Sequence, residues 1–144
     1  MTIAHTGIRV PAARYAAAVT WYEAALAPLG YKKAMTFVDG QVIGFADATG
    51  IADWWVSSAA VPSPGDALAG TGPGGDVASV LPTHISFVAK DRASVDAFYN
   101  AAVAAGGQCN GKPGIRPNCS PTYYAAFVLD PAGNNIEALC TAAE

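Results

Sequence analysis

The chain has 144 residues and a formal net charge of −3; hydrophobic residues make up 52% of it and charged residues only 13%. This length and composition exclude a disordered chain and allow one domain with a core that needs no disulfides. The eight lysines and arginines are scattered, so no basic stripe indicates a nucleic-acid partner. No apolar run reaches the roughly 18 residues of a membrane span, and the first residues lack a secretory signal pattern. We therefore expect a cytoplasmic protein.

The first half of the sequence predicts one strand, one helix and three further strands. Near-alternation predicts the first strand, which Pro11 ends, and apolar residues at helical spacing from Tyr15 onward predict the helix, which Pro28 and Gly30 end. An Asp-Gly pair, typical of a hairpin turn, separates the next two strands. The strands are predicted at residues 3–10, 31–38, 41–46 and 52–57.

The same order returns after a loop. Residues 61–82 are rich in Pro, Gly, Ser and Asp, which predicts a long connection. A strand, a helix with Asp91 as its N-cap, and three strands follow, at residues 83–90, about 92–105, 108–118, 123–129 and 136–140. We therefore predict two βαβββ modules, residues 1–60 and 83–144, which make one domain of α+β class.

The three cysteines leave at least one thiol unpaired, and none forms a C-x-x-C pair typical of redox or zinc sites. Reduced, structural thiols are the expectation. A bridge between Cys109 and Cys119 is the alternative.

The chain has only two histidines, and each lies near the start of an equivalent predicted strand. Alternation puts His5 on the same strand face as Gly7 and Arg9, opposite the apolar face. Pseudo-twofold symmetry between the modules would bring His5 and His84 together. Glu137 lies in an otherwise apolar final strand, where a buried carboxylate needs a cation or an exposed edge. Two imidazoles and one carboxylate that leave open coordination positions are typical of a metal site that acts on substrate, so we predict that these three residues bind one divalent ion.

The sequence resembles the vicinal-oxygen-chelate superfamily in three features. They are the repeated βαβββ order, a histidine in the first strand of each module, and the string LDPAGNNIEAL, which runs through the last turn into the last strand. That superfamily includes glyoxalase I, extradiol dioxygenases, methylmalonyl-CoA epimerase, and fosfomycin and bleomycin resistance proteins. The resemblance implies a U-shaped mixed sheet around one divalent ion of zinc, nickel, iron or manganese, with Glu137 as a ligand. It also implies a small-molecule substrate bound through two vicinal oxygens, and a homodimer.

The residue opposite Glu137 in the first module stays open at this point. If Asp53 faces the cavity, the resemblance implies a fourth ligand or a catalytic base, as in bacterial-type glyoxalase I. If Trp54 takes that place, three ligands remain, which is the set of an extradiol dioxygenase. The alternative for Asp53 is a solvated residue at the start of a strand.

Four residues are candidates for binding substrate. Arg9 matches the glutathione-contacting arginine of glyoxalase I, and guanidinium suits a carboxylate, whereas a structural salt bridge is the alternative. Aromatic residues that would line the cavity and stack on a planar ligand are Trp54, Trp55, Tyr123, Tyr124 and Phe127. Of these, Trp55, Tyr123 and Tyr124 are predicted to contact substrate.

Three functions follow from these residues. We predict an enzyme, with lyase or isomerase chemistry resembling that of glyoxalase I, in which Glu137 or Asp53 moves the proton. Ring cleavage by a dioxygenase with an iron ion on the two histidines and Glu137 is the first alternative. A bleomycin-resistance-like protein that binds its ligand without turnover is the second.

Overall fold

The computed structural model describes residues 3–61 and 81–142. Its elements run β1 (Thr6–Val10), α1 (Ala12–Leu26), a 3-10 turn (Ala27–Leu29), β2 (Lys32–Phe37), β3 (Val42–Ala46), β4 (Ala52–Ser58), β5 (His84–Val88), α2 (Arg92–Ala104), β6 (Gln108–Ile115), β7 (Tyr124–Leu129) and β8 (Asn135–Cys140). The predicted α+β fold of two βαβββ modules is confirmed. Residues 62–80, most of the predicted connection at 61–82, lie outside the described residues.

Each module forms a four-stranded mixed sheet, in the order β1-β4-β3-β2 and β5-β8-β7-β6. The first strand of each module pairs in parallel with the last, and the other pairs are antiparallel. β1 begins three residues later than predicted because its first partner in β4 is Trp54, which pairs with Thr6. His5 therefore lies directly before its strand, whereas His84 opens β5.

Local signals end α1 and begin α2 where the sequence predicts. After α1 and its 3-10 turn, Gly30 adopts a positive φ of 87°, and its N–H donates to the carbonyl of Ala27. At the start of α2 the Asp91 carboxylate accepts from the Ser94 N–H at 2.7 Å, so the predicted N-cap is confirmed. These caps fix the end of α1 with its 3-10 turn and the start of α2.

Both modules contribute to one hydrophobic core. Alternate residues of β1, β4, β5, β7 and β8 face the two helices, and the cluster is continuous from Ile8 and Val10 to Phe98 and Ile136. Helix–helix packing joins the modules, with the Trp21 indole N–H donating to the Ala102 carbonyl at 2.8 Å. The opposite face of each sheet presents the other side chains, among them Trp55 in the first sheet and Glu137 in the second.

All three cysteines are free, with Cys109 and Cys119 exposed and Cys140 buried. Among the described residues, no helix is long and apolar enough to cross a membrane.

Candidate functional site

Strand alternation in the second module separates a core face from a polar face. In β8, Ile136 and Ala138 are fully buried in the core, so Asn135 and Glu137 point to the other side of the sheet. Register places His84 beside Asn135, and Ser86 beside Glu137. The β5 and β8 strands therefore present the predicted His84 and Glu137 side by side.

The His84 ring and the Glu137 carboxylate are in contact, with 3.1 Å between Nε2 and Oε2. Glu137 is only 3% exposed, whereas half of the His84 side chain is exposed. The Tyr123 hydroxyl donates to the other carboxylate oxygen, Oε1, at 2.8 Å. A buried carboxylate is costly unless its oxygens are hydrogen-bonded or paired with a cation. Tyr123 meets this need at Oε1, and His84 Nε2 is the neighbour of Oε2.

The second nitrogen of His84 faces Asn135. Nδ1 lies 3.0 Å from the main-chain carbonyl oxygen of Asn135 and 2.9 Å from its side-chain Nδ2. The Asn135 amide is itself held by Asn110, whose Nδ2 donates to Oδ1 at 3.0 Å. A histidine that binds a metal through one nitrogen commonly donates the other N–H to a carbonyl. In His84 the Asn135 carbonyl oxygen is within reach of Nδ1 for that hydrogen bond.

The separation of His84 and Glu137 also fits a shared ion. Two ligand atoms about 2.1 Å from one ion and at right angles to each other lie about 3.0 Å apart. The observed Nε2 to Oε2 distance is 3.1 Å. These two side chains are therefore spaced as neighbouring ligands of one divalent ion.

Burial and the hydrogen bond to Glu137 raise the pKa of Tyr123 to about 12, although a hydrogen bond with Ser86 acts in the opposite direction. Tyr123 is therefore a protonated donor at neutral pH.

Phe127 stacks on the His84 ring with 6.2 Å between ring centres, and the Arg116 guanidinium lies 5.3 Å over the Phe127 ring. Phe127 thus covers one face of the His84 ring.

The other predicted ligand, His5, lines a cleft between β1 and β5 of about 420 Å³, which is also lined by Asp53, Tyr31 and Ser86. Tyr31 donates to Oδ2 of Asp53 at 3.1 Å. Oδ1 of Asp53 is buried, and no hydrogen-bond partner for it exists among residues 3–61 and 81–142. Asp53 therefore has one oxygen available to accept a proton or a hydrogen bond.

Burial and the Asp53 carboxylate raise the pKa of Tyr31 to about 12. A raised pKa stabilises the fold fully below pH about 10, the ordinary value for tyrosine, and this stabilisation is lost as the pH rises toward 12. We expect the unfolding midpoint of the wild type to fall more steeply than that of Tyr31→Phe between pH 10 and 12, in urea titrations at each pH. Parallel curves would show that Tyr31 is not held protonated by the fold.

The structure brings His84 and Glu137 together but does not add His5 to them. Within the described part of the chain, no group of three or more His, Cys, Asp or Glu side chains is placed to hold a metal ion. Ser86 connects the two places, because it lines the His5 cleft and pairs with Glu137. Of the three predicted ligands, His84 and Glu137 are therefore in contact, and His5 lies in a neighbouring cleft.

Strand register decides which residue of the first module corresponds to Glu137. Glu137 pairs with Ser86, two residues after His84, and in the first module Trp55 pairs with Gly7, two residues after His5. Trp55 is therefore the counterpart of Glu137. Asp53 shares the polar face of β4 two residues earlier, whereas Trp54 points into the core and contacts Phe87.

Trp55 fits its place because two glycines make room for it. A Cβ on Gly44 would come within 2.8 Å of the Trp55 ring, and one on Gly7 within 2.8 Å of its Cβ. Phe37 stacks on the indole with 6.0 Å between ring centres. The first module thus presents an aromatic surface where the second presents a carboxylate.

The remaining predicted residues lie elsewhere. Arg9 shares the polar face of β1, and its guanidinium donates to the main-chain carbonyls of Ala59 and Val61. Tyr124 lies on the helix side of β7, where its hydroxyl donates to Asp96 of α2 at 2.7 Å. The structure therefore brings Tyr123, but not Tyr124, to Glu137.

Sequence reasoning missed Asn135 and Tyr31 as members of these sites. Asn135 precedes Ile136 in the final strand, so period-two alternation places it on the Glu137 face. That signal was present in the sequence. Tyr31 carried no such signal, since its contact with Asp53 depends on how β2 and β4 lie in the sheet.

A sequence model of the Glyoxalase/Bleomycin resistance protein/Dioxygenase superfamily matches residues 2–138. The chain belongs to this superfamily. Solved structures agree in fold, beginning with a glyoxalase/bleomycin resistance protein/dioxygenase family enzyme from Burkholderia phytofirmans PsJN, at a TM-score of 0.69 and 15% identity over 99% of this chain and 100% of that one. A glyoxalase/bleomycin resistance protein from Albidiferax ferrireducens T118 has a TM-score of 0.61 and 22% identity over 94% and 96% of the two chains.

A lactoylglutathione lyase from Agrobacterium tumefaciens is similar at a TM-score of 0.60 and 20% identity, over 96% of this chain and 94% of that one. No curated protein sequence matches the chain. At these identities the structural likeness establishes the superfamily's fold, and the chemistry has to be argued from the site.

Proposed function

We propose that this member of the superfamily is a metal-dependent enzyme in which His5, His84 and Glu137 hold one divalent ion and a small substrate binds through two adjacent oxygens. The observation that carries the proposal is the contact between His84 Nε2 and Glu137 Oε2 at 3.1 Å, with Tyr123 on the other carboxylate oxygen. When bound, the ion, whether zinc, nickel, iron or manganese, would polarise the two substrate oxygens as a Lewis acid.

One of the two tautomers of His84 would leave room for a cation at this point. If Nδ1 of His84 donates its hydrogen to the Asn135 carbonyl, Nε2 of the neutral ring has a lone pair that faces a carboxylate oxygen. Two acceptors at that distance repel each other unless a proton or a metal ion lies between them. Tyr123 helps by holding Oε1, so that Glu137 presents a single oxygen.

For the reaction, we propose proton transfer at a carbon next to the bound oxygens, which is lyase or isomerase chemistry. Asp53 supports this reading because its Oδ1 is free to accept a proton while Tyr31 holds Oδ2. Asp53 also lines the same cleft as His5. Glu137 is the alternative base.

One observation favours ring cleavage by a dioxygenase as the second candidate. Trp55, which cannot bind a metal ion, occupies the place that corresponds to Glu137, and this favours the set of three proposed ligands over four. The aromatic surface of Trp55 and Phe37 also suits a planar ring. This candidate predicts iron as the bound metal.

Metal content measured by elemental mass spectrometry tests the proposal. The wild type, prepared without an affinity tag, is expected to hold about one equivalent, and His5→Ala, His84→Ala and Glu137→Gln are each expected to lose it. Glu23→Gln is the matched control, because Glu23 is an exposed carboxylate paired with Lys33, and it should keep the metal. Nickel or zinc would favour the lyase, and iron the dioxygenase.

Folded wild-type protein that stays metal-free after incubation with these ions would contradict the proposal and favour a binding protein without turnover. Asp53→Asn separates the roles further. We expect it to retain metal and to lose at least tenfold in the rate of proton exchange on substrate, whereas loss of metal would make Asp53 a ligand.

We also propose a homodimer in which the partner's His5 completes the site of one chain, because His5 is not grouped with His84 and Glu137 in the described chain. Mixing His5→Ala with His84→Ala subunits after unfolding would then restore one intact site in each mixed dimer. Recovered metal binding supports the shared site. A clean monomer in size-exclusion chromatography would rule it out.

A further inference from the structure

We infer that Asn135 is a positioning residue that supports two tautomers of His84, one in the metal-free protein and the other in the metal-loaded protein. Asn135 presents both a donor and an acceptor to the same ring nitrogen. Its side-chain Nδ2 lies 2.9 Å from Nδ1 of His84, and its main-chain carbonyl oxygen lies 3.0 Å from that atom. One neutral nitrogen can use only one of these partners at a time.

In the metal-free protein the proton belongs on Nε2. That nitrogen then donates to Glu137 Oε2 at 3.1 Å, which removes the repulsion between a lone pair and a carboxylate. Nδ1 is left as an acceptor, and the Asn135 side-chain N–H supplies its hydrogen bond. Every polar atom of the ring is satisfied without a cation.

In the loaded protein, which rests on the proposed metal site, Nε2 has to present its lone pair. The Nε2 proton leaves to solvent and a proton from solvent is taken up at Nδ1, so the charge of the ring does not change. Nδ1–H then donates to the Asn135 carbonyl. The main-chain partner is fixed by the parallel pairing of His84 with Asn135, so it is available without movement of the backbone.

Asn110 contacts the other end of the Asn135 amide. Its Nδ2 donates to Asn135 Oδ1 at 3.0 Å, and in this orientation Nδ2 of Asn135 faces His84. With the amide reversed, Oδ1 would face Nδ1 and favour Nδ1–H in both states.

Asn135→Ala removes the donor and keeps the carbonyl. The metal-free state then loses a hydrogen bond that the loaded state does not use, so the affinity for Zn²⁺ is expected to rise about two- to tenfold. A residue that merely supports the site would lower the affinity when truncated.

The tautomer is read directly from long-range ¹H–¹⁵N correlation spectra of histidine-labelled protein, at a pH well above the ordinary imidazole pKa of about 6.5. With only two histidines in the chain, His5→Ala assigns both rings. We expect Nε2–H for His84 in metal-free protein and Nδ1–H with Zn²⁺, together with tighter Zn²⁺ binding by Asn135→Ala in competition with a chelating dye.

Nδ1–H in the metal-free wild type would overturn the inference, as would equal or weaker Zn²⁺ binding by Asn135→Ala of unchanged thermal stability. Absence of Zn²⁺ binding by the wild type would instead overturn the proposed function. In that case no loaded tautomer exists and the two-tautomer inference fails with it, whereas Nδ1–H in metal-free protein that does bind Zn²⁺ would overturn the inference and leave the proposed function standing.

Discussion

Asp130→Ala is expected to lower the free energy of unfolding by about 3 to 5 kcal/mol, measured by urea denaturation. Asp130 is 5% exposed and accepts hydrogen bonds from the Tyr22 hydroxyl at 2.7 Å, from the Asn134 side chain at 2.8 Å, and from the main-chain N–H groups of Ala132 and Asn134 at 2.8 Å each. Alanine leaves these buried donors without an acceptor. The turn before β8, which delivers Glu137, would lose its organiser.

Tyr22→Phe is the matched control, because it removes one of these donors and keeps the ring. Its expected cost is about 1 to 2 kcal/mol. Since Tyr22 belongs to α1 and Asp130 to the second module, both variants should unfold in one transition. A loss below about 1 kcal/mol for Asp130→Ala, or two separate transitions, would contradict the reading of this cluster as a link between modules.

Trp54→Ala is expected to cost about 3 to 5 kcal/mol, because it removes one of the two fully buried tryptophan side chains that lie between the two modules. Trp54 is 1% exposed, and its ring contacts Tyr22 at 5.4 Å and Phe87 at 5.4 Å between ring centres. The cavity would lie between β4 and β5. Thermal and urea unfolding, followed by the fluorescence of the remaining tryptophans, measure the loss.

Trp54→Phe separates packing from hydrogen bonding. The Trp54 indole N–H is buried without an acceptor in the described parts of the chain, so phenylalanine relieves an unsatisfied donor while it leaves a smaller void. We expect it to cost less than half as much as alanine. Equal losses for the two variants would show that the indole N–H has a partner in the folded protein.

Much of the fold was predictable because its signals are local. The Asp91 cap, the glycine after α1 and the alternation of β8 each act over a few residues, and the structure confirms the elements that they predict. The beginning of β1 was less predictable, since a strand begins where its partner begins. Here that partner is β4, about 45 residues along the chain.

The superfamily was evident from the βαβββ repeat and the final string, and the sequence comparison bears it out. The first-module residue that corresponds to Glu137 was not evident, because a shift of one residue in strand pairing moves a side chain to the other face of the sheet. Because Gly7 pairs with Trp55, Trp55 corresponds to Glu137. The same register places Asp53 beside Tyr31 and directs the Trp54 side chain into the core.

The sequence by itself determined the two modules, the superfamily and the candidate ligands His5, His84 and Glu137, since these depend on residue type and short-range spacing. Tertiary structure alone decided which groups are in contact. Tyr123 donates to Glu137, two atoms of Asn135 lie within 3.0 Å of His84 Nδ1, and His5 lies in a neighbouring cleft. The physical reason is that a hydrogen bond depends on positions to within a few tenths of an ångström. Such positions arise only when strand register and the packing of both modules against one core are complete.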